Sequence, residues 1–233
     1  MLQQDQSTLT STPVIEVVSD VVCPWCFIGK RRIEKALTLL GLPNARLQWK
    51  AFQLNPDAPP QGLDRQAYRT RKFGSMAYAK QLEARVAAAG AGEGIDFQFD
   101  RIERVPNTFR AHRLIWLAEQ EGVQDSVVEK LFQAYFIDAV DIGDPAVLRG
   151  VGADSGIPHA TLDSFFATGM GTSAVRADEL QARQRGVSGV PAFFVDGQPV
   201  AAGAEVPERL AAALGPVLAP GLTQCSLNDG ACS

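Results

Sequence analysis

Residues 13–41 read PVIEVVSDVVCPWCFIGKRRIEKALTLLG, and the order of residue types in this stretch decides the fold. Its first seven residues, PVIEVVS, are rich in β-branched side chains, a short apolar run that fits a buried strand. Asp20, Val21 and Val22 then turn the chain towards a helix. Cys23 takes the cap position and Pro24 the first helical position, where a missing N–H costs nothing. Ile28, Ile33, Ala36, Leu37 and Leu40 give this helix an apolar side, and Gly41 and Pro43 close it. Residues 46–52, RLQWKAF, read as a second strand. The chain thus opens β-α-β, with Cys23-Pro24-Trp25-Cys26 at the first strand-to-helix junction.

Working outward, residues 55–62, NPDAPPQG, form a turn-rich connector. A long helical region follows: residues 64–89, a break at 90–94, then 107–121, 125–138, 144 to about 153, 159–168 and 172–185. Strand signals return only at residues 192–195, AFFV, and 198–202, joined by Asp196-Gly197, a hairpin signal. Residues 205–214 read as a last helix, and 215–233 as a tail. The order predicts an α/β class, a thioredoxin-like fold with a large inserted helical domain. The expected boundaries are 13–60 with 187–215 for the thioredoxin-like part, 61–186 for the insert, and 216–233 for a tail carrying a cysteine pair.

Bulk properties narrow the function classes. With 233 residues, 46% hydrophobic and 21% charged, the chain has ample material for a core. A net charge of −4 argues against nucleic acid or an anionic membrane as partner. Residues 1–12 lack a basic region followed by an apolar one, and no later run of about 18 apolar residues occurs. The expected compartment is therefore the cytoplasm, where a CxxC pair is more often catalytic or metal-binding than structural.

Cysteines at i and i+3 of a helix start lie on one side of the first turn, with Cα atoms roughly 5–6 Å apart, which suits a disulfide. Cys23 faces the positive end of the helix, which favours its thiolate, the nucleophilic form. Cys26 lies one turn inside. The expected roles follow: Cys23, the exposed thiol, attacks a substrate disulfide and Cys26 resolves the mixed disulfide. Lys30, Arg31 and Arg32 read as a solvated helix face. A zinc site would need two further ligands, and the other candidates are Cys225, Cys232, His112 and His159; no metal and no cofactor are expected. Val190-Pro191 precedes the AFFV strand, where a proline cannot donate to the ladder and a cis peptide would open backbone groups to an extended substrate. With an N-terminal CxxC in the same chain, the bond is predicted cis. Cys225 and Cys232, separated by SLNDGA, can meet across a turn as an auxiliary redox pair or a terminal clip.

The blocks SDVVCPWCFIGKRRIEKAL, FQLNPDAP, PNTFRAHRLIWLA, LFQAYFIDAVDIGD and GVSGVPAFFVDG, taken in order, resemble the FrnE-like branch of the DsbA family. The resemblance spans about Val14 to Leu210. It implies a thioredoxin fold with a helical insertion, dithiol–disulfide chemistry at Cys23 and Cys26, a cis-proline at Pro191 and a cytoplasmic protein. It also brings Trp25, Val190 and His112 into consideration as substrate contacts. For His112 the competing reading, a hydrogen-bonded histidine on a packed helix, is favoured. The family's isomerases and kappa-class glutathione transferases carry serine where this chain has Cys23, so two cysteines favour redox chemistry. Ala202-Gly203-Ala204-Glu205 departs from the Ser-Gly-Ala-Gln usual in the family, which bears on substrate contact.

The expected activity is therefore a thiol–disulfide oxidoreductase acting on protein or small-molecule disulfides, glutathione among them. The alternatives are a glutathione-dependent transferase or isomerase of the 2-hydroxychromene-2-carboxylate isomerase type, and a metal-binding redox-sensing module using the four cysteines.

Overall fold

The computed structural model describes residues 13–218. Strand β1, Val14–Ser19, is buried over most of its length, which explains its continuous β-branched run. Helix α1, Pro24–Leu39, leads to β2, Arg46–Ala51, which pairs parallel to β1 with Val14 opposite Arg46. A parallel pair needs a crossover, and α1 supplies it.

Between β2 and the last two strands lie seven helices among the described residues. They are α2, Arg65–Phe73; α3, Met76–Ala91; α4, Phe109–Gln120; α5, Gln124–Phe136; α6, Pro145–Asp154; α7, His159–Ala167; and α8, Thr172–Gln184. Two short strands, β3 (Leu63–Asp64) and β4 (Arg104–Val105), pair antiparallel beside α2. Strands β5, Ala192–Val195, and β6, Gln198–Ala202, then form a hairpin. Its turn residues Asp196 and Gly197 both have positive φ, 50° and 76°, the backbone a tight hairpin requires. β5 runs antiparallel to β1, so the main sheet has the order β2-β1-β5-β6. Helix α9, Pro207–Leu218, packs on α1 through buried Leu210 and Leu214.

The expected order of elements is therefore present, with four departures. The helix read over 64–89 is two helices. Gly74, at φ 82°, ends α2, and the Ser75 hydroxyl caps α3 by accepting from Tyr78 N–H at 3.1 Å. Strands of two residues show no periodicity, so β3 and β4 have no sequence signal. The last helix runs on through Pro216 to Leu218, past the expected end at 214, because its packing on α1 outweighs the lost hydrogen bond. Lastly, Lys30 is not on a solvated face: it is 3% exposed. Its ammonium meets Asp125 at 3.0 Å, Glu129 at 3.4 Å, and Glu34, while Arg31 grips Glu129 with both nitrogens. Burial would push the Lys30 pKa down, but Asp125 and Glu34 outweigh it and hold it up. Trp49 Nε1 donates to Asp125 at 3.0 Å, so this charge cluster ties α1, β2 and α5 together.

Next to that cluster, Phe27 stacks on Phe132 at 5.0 Å between ring centres and meets Phe97 edge-on at 6.1 Å. Phe136 closes the group 6.3 Å from Phe27. Phe27 belongs to α1 and Phe132 to α5, so this aromatic core seats the Cys23–Cys26 turn against the inserted helices. Such a ring contributes roughly 1.5–3 kcal/mol by burial alone.

Candidate active site

Cys23 is the N-cap of α1, and Pro24 occupies the first turn. The Cys23 N–H donates to the Asp20 carbonyl at 2.9 Å, and the Cys23 carbonyl accepts from Cys26 N–H at 3.0 Å. The local sequence thus closes a turn before the helix and starts the helix at the first cysteine. Both cysteines are free thiols.

The expectation that Cys23 is exposed needs correction. It is 5% exposed against 0% for Cys26, with the Val190 carbonyl of the loop before β5 against its sulfur. What distinguishes Cys23 is that it lines a cavity, and Cys26 does not. Their environments separate the two thiols. A hydrogen bond from the Cys26 thiol lowers the Cys23 pKa, against burial, which opposes it. The N–H groups of Cys26 and Trp25 add positive charge near the sulfur without closing a formal capping bond. Burial pushes the Cys26 thiol well up, and donation to Cys23 adds to the rise. The two thiol pKa values are therefore displaced in opposite directions, Cys23 down and Cys26 up.

Opposite Cys23 stands the loop before β5. The Val190–Pro191 bond is cis, as the sequence led us to expect. The Cys23 thiol donates to the Val190 carbonyl at 3.6 Å. A thiolate cannot donate, so ionisation frees that carbonyl for a substrate N–H. Pro191 rests on the back of α1 at Gly29, where an added Cβ would lie 2.8 Å from Pro191 Cγ. Sequence reasoning passed over Gly29. Its signal was a glycine inside a helix, which costs about 1 kcal/mol against alanine and calls for a packing reason.

Behind the cysteines, Asp20 is fully buried and His112 is 3% exposed. His112 Nε2 lies 3.3 Å from Asp20 Oδ1, and Asp20 Oδ2 accepts from Leu54 N–H at 2.8 Å. The pair anchors the turn that presents Cys23. His112 does not line the cavity. At the start of α4, the Asn107 side chain accepts from Phe109 N–H at 3.0 Å. Trp25 is 39% exposed and forms part of the cavity mouth. Cys225 and Cys232 lie outside the described residues.

The cavity holds about 470 Å³. Cys23, Pro24 and Trp25 form one wall, and α2, α3 and the end of α5 supply the others. Among the described residues, no three His, Cys, Asp or Glu side chains gather as a metal site would require. Nor is any helix there long and apolar enough to cross a membrane.

A buried dithiol at a strand-to-helix junction, faced by a cis-proline loop, is set on a thioredoxin-type fold. The DSBA-like thioredoxin domain matches residues 14–215, and the chain belongs to that family. The chain is 25% identical over 198 residues to the uncharacterized protein YwbO of Bacillus subtilis, a match covering 84% of this chain and 94% of YwbO. It is similar to the probable DsbA oxidoreductase SCO1869 of Streptomyces coelicolor, with TM-score 0.82, 28% identity, and 95% and 96% of the two chains covered. The cytosolic disulfide reductase DsbM of Pseudomonas aeruginosa shares the fold at TM-score 0.59 and 18% identity, over 86% of this chain and 96% of DsbM. DsbM has also been solved with GSH.

Proposed function

We propose that the protein is a thiol–disulfide oxidoreductase in which Cys23 is the nucleophile and Cys26 the resolving thiol. The observation that carries this reading is geometric: Cys23, at the N-cap of α1, lines the cavity and faces the cis Val190–Pro191 loop, while Cys26 lies fully buried within the first turn behind it. Cys23 thiolate attacks a substrate disulfide and expels one substrate thiolate. Cys26 then attacks the Cys23 sulfur, forms the internal disulfide and releases the second. Trp25, Val190 and Pro191 frame the approach, and His112 with Asp20 holds the turn from behind. The same proposal places the chain in the FrnE-like branch, on the ordered blocks quoted above, and the reaction in the cytoplasm, by analogy with DsbM. The division into residues 13–60 with 187–215, an insert at 61–186 and a C-terminal tail, 216–233, with the Cys225 and Cys232 pair also stands as proposed. The isomerase reading is disfavoured because its family members use serine at the position of Cys23.

Alkylation followed against pH tests the assignment. Reaction rate tracks the thiolate fraction, so a lowered pKa moves the rise in rate to lower pH. Cys23 is expected to reach half-maximal reactivity below the free-thiol value of about 8.5, and Cys26 above it. A faster Cys26, or two coincident profiles, would reverse the roles.

A further inference from the structure

The walls of the Cys23 cavity carry an imbalance of charge. Arg65, Arg69, Lys72 and Arg85 line it, and the one carboxylate there among the described residues is Glu83. Arg65 and Arg69 both pair with that single carboxylate, Arg69 at 2.9 Å. Arg69 Nη2 donates to the Ala79 carbonyl at 3.0 Å, while its buried Nε has no partner. Lys72 donates to the Tyr68 hydroxyl at 2.7 Å and has no carboxylate partner among the described residues, nor has Arg85. Leu82, Val86, Phe99 and Ile102 add apolar surface to the same lining. A cleft with low-dielectric walls concentrates the field of its charges. Its volume of about 470 Å³ falls in the range typical of small-molecule sites, and Cys23 lies on its wall.

We infer that this site takes low-molecular-weight disulfides whose two halves carry carboxylates on an aromatic or aliphatic body, with Lys72 and Arg85 setting the preference. The inference rests on the proposed role of Cys23. The apolar wall covers the body of the substrate, and the cations hold its carboxylates. In the reaction the substrate S–S bond breaks as the Cys23–substrate bond forms, and one carboxylate-bearing thiolate leaves. Cys26 gives its proton to water and forms the Cys23–Cys26 bond, releasing the second thiolate. The substrate gains two electrons and the cysteine pair loses two. Each leaving thiolate adds negative charge beside the same cations.

Single-turnover oxidation of the reduced full chain by two aromatic reagents provides the test. Dithiobis(nitrobenzoic acid) carries carboxylates, and dithiodipyridine is uncharged at neutral pH. The Lys72→Gln/Arg85→Gln variant changes two exposed side chains. Its rate constant with the carboxylate reagent should fall roughly three- to tenfold at low salt, while that with dithiodipyridine stays within about twofold. Added salt should erode the carboxylate preference of the unaltered protein. An equal fall with both reagents, no fall with either, or a rate insensitive to salt would overturn the inference. Cys23→Ser reports separately on the thiol assignment, because its failure would show with both reagents alike.

Discussion

Cys23→Ser is expected to lower dithiol turnover, read as insulin reduction with a thiol donor, by roughly a thousandfold or more, the scale of loss seen when a nucleophile is removed. The substitution is nearly isosteric, so the packing of the turn should survive. What disappears is a cavity-lining sulfur whose pKa the Cys26 thiol lowers. Cys26 cannot replace it, being fully buried with its pKa held up by that burial. A variant retaining a tenth of the parental rate, at unchanged stability, would assign the attack elsewhere.

The second large effect is on stability. Phe27→Ala removes a ring that is 2% exposed and stacked between the CxxC helix and α5. Phe132, Phe97 and Phe136 surround it, and all three are themselves buried. A cavity of that kind costs about 3–5 kcal/mol. Denaturant unfolding should show the loss as a lower midpoint at similar slope. A loss below about 1 kcal/mol would mean that the aromatic core does not seat the reactive turn.

The parts of the fold legible in the sequence are those written in local signals. The β-branched run before Cys23, the Cys-Pro helix start and the Asp196-Gly197 turn each act within a few residues, and each marks a boundary found in the structure. The cis Val190–Pro191 bond could be expected because a proline that cannot donate to the ladder precedes the AFFV strand in a chain with an N-terminal CxxC. Long-range pairing is another matter. Lys30 looked like a surface residue because its partner Asp125 is 95 positions away. The charged wall of the cavity was invisible for the same reason: Arg65 finds Glu83 across the α2–α3 turn, 18 residues on, and the turn itself was read as continuous helix. His112 could be placed on a helix but not against Asp20, 92 positions earlier. Burial of Cys23 also depends on elements that only the assembled fold brings over it.

The central claim, that Cys23 attacks and Cys26 resolves, is tested most directly by trapping. Reduced Cys26→Ser protein, mixed with a disulfide-bonded peptide and quenched in acid, should carry the peptide on Cys23, as read by mass spectrometry of the proteolytic fragments. The covalent complex should persist, since the resolving thiol is gone. No adduct on Cys23, or an equally abundant adduct on Cys26 in the matching Cys23→Ser protein, would contradict the account.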